Sequence, residues 1–189
     1  MISSVAGVMT VTMLLVGSLT SSPSEPPTAI EGACPVCLVE MGSMVAGKAE
    51  ISSEYDGKTY RFPSIEQKKL FDANPTRYVP ALGGDCVVCL VEMNQRIPGK
   101  LQYALVHRGR LYLFPGAEQQ AKFRENPERY ENADLALGGN CPVCKVEMGK
   151  DVPGNAMFAV DFRGRRYLFP DGKLRGMFLS NPAKYAVKD

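Results

Sequence analysis

Apolar and polar residues alternate in three separate stretches of the chain, each followed by a glycine-containing turn and a short aromatic run. In the first, Ile51 and Tyr55 share a face, Asp56-Gly57 supplies the turn, and Tyr60 and Phe62 lie on the return. Tyr103, His107, Tyr112 and Phe114 repeat this around Arg108-Gly109. Phe158, Phe162, Tyr167 and Phe169 do so around Arg163-Gly164. A period of two with aromatic residues predicts a half-buried β-hairpin at each place. Asp-Gly is a strong two-residue turn signal, and Arg-Gly can adopt the same turn. Gly47, Gly99 and Gly154 stand just before the three hairpins.

A short helix is predicted after each hairpin. Pro63, Pro115 and Pro170 end the returning strand and suit a helix start, where a missing N–H costs nothing. Phe71, Phe123 and Phe178 would turn its apolar side toward the hairpin. Asn74-Pro75, Asn126-Pro127 and Asn181-Pro182 stop it, because the residue before proline avoids helical angles. Tyr78, Tyr130 and Tyr185 close the units. The expected fold class is α+β.

The pattern is one motif written three times, and each copy opens with a cysteine pair. Cys34 and Cys37, Cys86 and Cys89, and Cys141 and Cys144 account for all six cysteines. Val39-Glu40-Met41, Val91-Glu92-Met93 and Val146-Glu147-Met148 follow them. A fixed period near fifty residues predicts tandem small modules rather than one large core. Their boundaries are 34–80, 86–131 and 141–189, and the Ala-Leu-Gly-Gly segments before the second and third read as flexible joints. Modules of this size often lean on a metal, a disulfide or a neighbour.

Composition narrows the chemistry. A net charge of +2, with no Lys/Arg run longer than two, gives no electrostatic footprint for nucleic acid. The single histidine, His107, excludes histidine-rich metal chemistry. It stands at the position of Tyr55 and Phe162, which predicts a core-facing ring. Lys58, Arg108, Arg110, Arg163, Arg165 and Arg166 read as solvated hairpin tips, with an anion-binding row as the alternative. No Ser-His-Asp set, acid pair or phosphate-cradling glycine loop stands out, so no enzyme activity is expected.

Residues 1–22 read as a signal peptide or an N-terminal membrane anchor, and 23–33 as a Ser/Pro-rich linker. The apolar run from Val5 to Leu19 is closer to a signal core than to a spanning helix of about 20 residues, although no Lys or Arg precedes it. Glu31-Gly32-Ala33 is a poor lipoprotein box before Cys34. The expectation is an exported protein, periplasmic, secreted or membrane-tethered.

Cys-Pro-Val-Cys, a hairpin ending Tyr-x-Phe, a Phe-bearing helix and a closing Asn-Pro-x-x-Tyr together resemble the YHS domain and the related TRASH domains. The resemblance covers essentially all of residues 34–189, three times over. It implies treble-clef-like, heavy-metal-associated modules of CxxC knuckle, β-hairpin and short helix. In that family the strand typically ends Phe-Cys, and another cysteine four residues later completes a four-thiol site. Here those positions hold Pro63 and Gln67, Pro115 and Gln119, and Pro170 and Leu174. The family's glycine-methionine after the second cysteine is replaced by Leu38-Val39, Leu90-Val91 and Lys145-Val146. The resemblance therefore implies the fold but not a four-thiolate zinc site.

Three fates remain for the cysteine pairs. As a metal site, Cys34, Cys37, Cys86, Cys89, Cys141 and Cys144 suit copper(I), which accepts thiolate and thioether at low coordination, better than zinc, which wants four ligands. Met41, Met93 and Met148 are the candidate auxiliary ligands, with core packing as their ordinary role. As disulfides, each pair would add roughly 2 kcal/mol, against about 10–16 for a complete zinc site. Redox catalysis is disfavoured, because no convincing helix follows the pairs and Glu40, Glu92 and Glu147 would raise a neighbouring thiol pKa. Two function classes stay open. One is a soft-metal binder. The other is a structural or protein-interaction array with an unidentified protein partner, in which each CxxC is a disulfide and metal binding is lost.

Overall fold

In the computed structural model, which describes residues 25–188, the chain is α+β, with three two-stranded antiparallel sheets and helices before and after each. The first unit runs α1 (Pro35–Met41), β1 (Lys48–Tyr55), β2 (Lys58–Phe62), α2 (Ile65–Ala73), α3 (Pro75–Tyr78). The second runs α4 (Val87–Met93), β3 (Lys100–His107), β4 (Arg110–Phe114), α5 (Ala117–Glu125) and a tight turn at Pro127–Arg129. The third runs α6 (Pro142–Met148), β5 (Asn155–Phe162), β6 (Arg165–Phe169), α7 (Gly172–Ser180), α8 (Pro182–Tyr185). The expected leader lies outside the described residues. Among those residues, no helix is long and apolar enough to cross a membrane.

Each hairpin turns through two residues of positive φ, as at Asp56 (47°) and Gly57 (71°), the geometry that matches strand twist. The strands are less regular than simple alternation predicts. Between Lys48↔Phe62 and Ser52↔Arg61 the first strand carries three residues more than the second, and the other hairpins share this bulge. The bulge brings the strand entrance hard against its partner. A Cβ on Gly99 would lie 2.4 Å from the Leu113 Cβ, and Gly47 and Gly154 are equally confined by Arg61 and Leu168. These glycines mark a backbone crossing.

The predicted rings form the cores. Phe71, at 1% exposure, lies 4.9 Å from the Tyr60 ring, 5.1 Å from Phe62, 6.3 Å from Tyr55 and 6.4 Å from Tyr78. Phe123 and Phe178 repeat the arrangement, with His107 edge-on to Phe123 at 5.5 Å. The ring face of His107 is thus used in packing, as its register predicts, while its Nε2 meets Glu131 Oε2 at 3.1 Å. The prolines after each strand do not start the helices. Ser64, Gly116 and Asp171 stand at the N-caps instead.

Ala81–Gly84 and Ala136–Gly139 are ordered turns rather than loose joints, and Ala29–Gly32 makes the same turn ahead of the first unit. Gly84 O accepts from Gly99 N at 2.9 Å, with equal bonds from Gly47 N to Gly32 O and from Gly154 N to Gly139 O. The turns tie each cysteine pair to the entrance of its own hairpin.

The three units also touch one another. Every residue of β4 is buried, because Leu111 and Leu113 pack against Ala33 and Leu38 of the first unit. The corresponding pairs are Thr59 and Arg61, and Arg166 and Leu168. The first unit meets the third through Asp56, whose carboxylate accepts from Arg163 N at 2.6 Å and Gly164 N at 2.7 Å. Asp56→Ala is expected to cost about 1–2 kcal/mol by removing two charge-assisted bonds, read as a lower denaturant midpoint.

At the centre, Arg110 grips the fully buried Asp134 with both terminal nitrogens and lies 3.8 Å from Asp161. Burial pushes the Asp161 carboxyl up to about 7; Arg110 and Arg166 work against that shift, and Asp134 adds to it. The folded chain holds this proton where the unfolded chain has released it. Asp161 therefore subtracts stability as pH climbs from about 4, the unfolded value, to about 7. Asp161→Asn is expected to gain on the wild type across that window. Urea midpoints of the two proteins at pH 4 and pH 8 check this, and a constant difference would contradict it.

Candidate functional site: the cysteine pairs

A helix follows each cysteine pair, contrary to expectation, and the first cysteine is its N-cap. Cys34 Sγ accepts from Cys37 N at 3.3 Å, Cys86 Sγ from Cys89 N at 3.2 Å, and Cys141 Sγ from Cys144 N at 3.3 Å. Pro35 and Pro142 fit the first turn, where no N–H is needed. Gly42, Asn94 and Gly149 end the helices in the left-handed conformation. The backbone before each pair is fixed as well, with Cys34 N bonded to Val45 O, Cys86 N to Ile97 O and Cys141 N to Val152 O, all at 2.8 Å.

All six cysteines are unbonded thiols at 0–1% exposure, and each pair belongs to the aromatic core of its own unit. Burial pushes Cys37 up to about 12, with the neighbouring Cys34 adding to the shift. Cys86 is likewise pushed up to about 12 and Cys144 to about 11, burial again leading. The helix N-terminus does not offset the lost hydration. Cys37, Cys86 and Cys144 thus keep their protons at neutral pH, and all six sulfurs lie out of reach of a large substrate, the reverse of an activated redox thiol.

The other candidate ligands are not gathered here. Met41, Met93 and Met148 sit at the far ends of their helices, 59%, 50% and 54% exposed, so core packing does not describe them either. Leu174, where the resemblance would put a thiol, packs against the cluster that contains Cys141 and Cys144. Among the described residues, no group of three or more His, Cys, Asp or Glu could hold a metal ion.

The glutamates of the repeated Val-Glu-Met have a different task, one that the sequence reading missed. Glu40 Oε1 accepts from the Tyr78 hydroxyl at 3.0 Å, Glu92 from Tyr130 at 2.9 Å, and Glu147 from Tyr185 at 2.8 Å. A basic neighbour completes each latch, with Arg77, Lys122 and Lys184 in turn. The latch ties the end of the knuckle helix to the end of the unit. Its signal was available, since glutamate and tyrosine recur 38 residues apart in all three copies. Tyr78→Phe is expected to cost about 1 kcal/mol, seen as a small fall in thermal midpoint with unchanged secondary structure.

The basic turn residues are not simply solvated tips. Lys58 Nζ donates to Gly83 O, Arg163 lies over the Phe162 ring at 5.2 Å, Arg110 is buried between units, and Arg166 is half-buried beside it, 3.5 Å from Asp134.

No protein-family model matches the chain, and no solved structure matches it. A stretch of 140 aligned residues is 26% identical to adenylate kinase 9 of Mus musculus, covering 54% of this chain and 7% of that protein. The chain thus spans a small fraction of the relative's length.

Proposed function

We propose that the chain is a non-enzymatic binding array of three YHS-like, treble-clef-type modules, in which the cysteine pairs serve the cores and metal binding has been lost. The observation that carries this reading is the burial of all six sulfurs within aromatic clusters, with no third donor gathered among the described residues. A structural zinc needs four ligands, and each metal-bound thiol must first give up its proton. Thiols pushed to about 11–12 resist that step. The role in packing holds for a thiol pair or a disulfide alike. Copper(I) or zinc held by the pairs is the weaker of the two readings.

Binding to a protein partner is supported by the surface. Met41, Met93 and Met148 occupy the same exposed position in each unit, and thioether side chains adapt to a partner's contours. Export remains part of the proposal, on the strength of the apolar run from Val5 to Leu19. Adenylate kinase activity does not. Gly57-Lys58-Thr59 carries the last letters of a phosphate-binding loop, but Ser52 stands where that loop needs its first glycine, and the segment is a hairpin.

Thermal unfolding with and without a strong chelator, and after addition of copper(I) or zinc, tests the proposal. The midpoint is expected to stay put in every case. A fall with chelator, or a rise that saturates at one metal per unit, would overturn it.

A further inference from the structure

We infer that the three units together form a binding site for a phosphate or pyrophosphate group, in a cavity that none of them makes alone. The cavity measures about 220 Å³ and is lined by Asn74, Thr76 and Arg77 of the first unit, Arg108 and Arg110 of the second, and Arg166 of the third. Ala156 and Ala159 form part of its wall.

The charge pattern carries the inference. Four guanidinium groups line the cavity, and no carboxylate does. The acids that hold these arginines stand outside the lining. Asp134 bonds Arg110 and lies 3.5 Å from Arg166, Asp161 lies 3.8 Å from Arg110, and Glu40 pairs with Arg77 and Glu131 with Arg108. An arginine braced by a carboxylate on one side is pre-oriented to present its remaining N–H groups on the other. Guanidinium forks match phosphate oxygens in pairs, and a cleft lined by one sign of charge concentrates the opposite ion.

The Thr76 hydroxyl, 3.2 Å from the Tyr55 hydroxyl, and the Asn74 amide line the same space. An adjoining cavity of about 190 Å³ shares Arg108, Arg110 and Arg166 but is also lined by Glu131, which places the anion on the carboxylate-free side. The volume is below that of a typical drug-sized pocket, about 300–1,000 Å³, and so suits a small oxyanion group. The site is independent of the state of the cysteine pairs.

Isothermal titration of the full chain with inorganic pyrophosphate at low salt tests this. Saturable one-site binding is expected, weakening as salt is raised. The double variant Arg77→Gln/Arg108→Gln should bind about tenfold or more weakly, because each side chain loses a charge-assisted bond to the anion. Arg124→Gln, an exposed arginine outside the cavity, should bind as the wild type does. Should the double variant melt early, Arg108→Gln alone, on a side chain 64% exposed, makes the same comparison. No saturable binding, or binding by the Arg77/Arg108 variants equal to the wild type's, would overturn the inference.

Discussion

Phe123→Ala is expected to lower the stability of the whole array by about 3–5 kcal/mol, a large share of the roughly 5–15 kcal/mol available to such a protein. Phe123 is fully buried, and the rings of Tyr112, Phe114, His107 and Tyr130 stand around it at 4.6 to 6.3 Å. Truncation removes the ring that all four contact and leaves a cavity that stiff aromatic neighbours cannot close. The effect should spread beyond the second unit. Leu111 and Leu113, on the strand beneath that ring, complete the packing of Ala33 and Leu38 from the first unit. Urea unfolding followed by circular dichroism should show one transition at a lower midpoint. A loss below about 1 kcal/mol would contradict the account of the core, and two separate transitions would contradict the coupling between units.

Gly99→Ala is expected to cost about 3 kcal/mol or more, although the change adds one methyl group. The added Cβ would lie 2.4 Å from the Leu113 Cβ and 2.5 Å from the Leu113 carbonyl carbon. Backbone cannot swing aside as a flexible side-chain tip can, so the strand entrance must separate. That would strain the bond from Gly99 N to Gly84 O and the turn before Cys86. Gly149→Ala is the informative contrast. No atom lies within 4 Å of its Cβ position, so only the strain of its φ of 67° is felt. Equal losses in the two variants would show that the close approach at Gly99 is not what the glycine serves.

The hairpins, their turns and the aromatic cores were legible because each obeys a local rule. Alternation marked Tyr60 and Phe62, the Asn-Pro pairs marked helix ends, and register placed His107 on the ring seat. The three-residue bulge was not legible, since alternation is silent about residues that pair with nothing. The knuckle helix was not expected, because Val-Glu-Met after each pair carries no helical periodicity of its own. Its signals lay at the ends, in Cys34 as N-cap, Pro35 in the first turn and Gly42 just past the last residue. The contacts between units were the hardest to read. Leu111 and Leu113, in place of Thr59 and Arg61, do record a strand covered on both faces. The convergence of Arg110, Asp134 and Asp161 joins residues that no spacing rule connects. For the cysteines, residue type and spacing suggest ligands, and their burial in the aromatic cores supports the structural role proposed above.

The most direct test of that assignment is the intact mass of the folded chain under native conditions, purified without reductant, chelator or added metal. The account predicts the bare chain, either with all its hydrogens or six hydrogens lighter if the six cysteines are joined in pairs. A mass raised by one to three copper or zinc ions would contradict it and make the cysteine pairs a metal site.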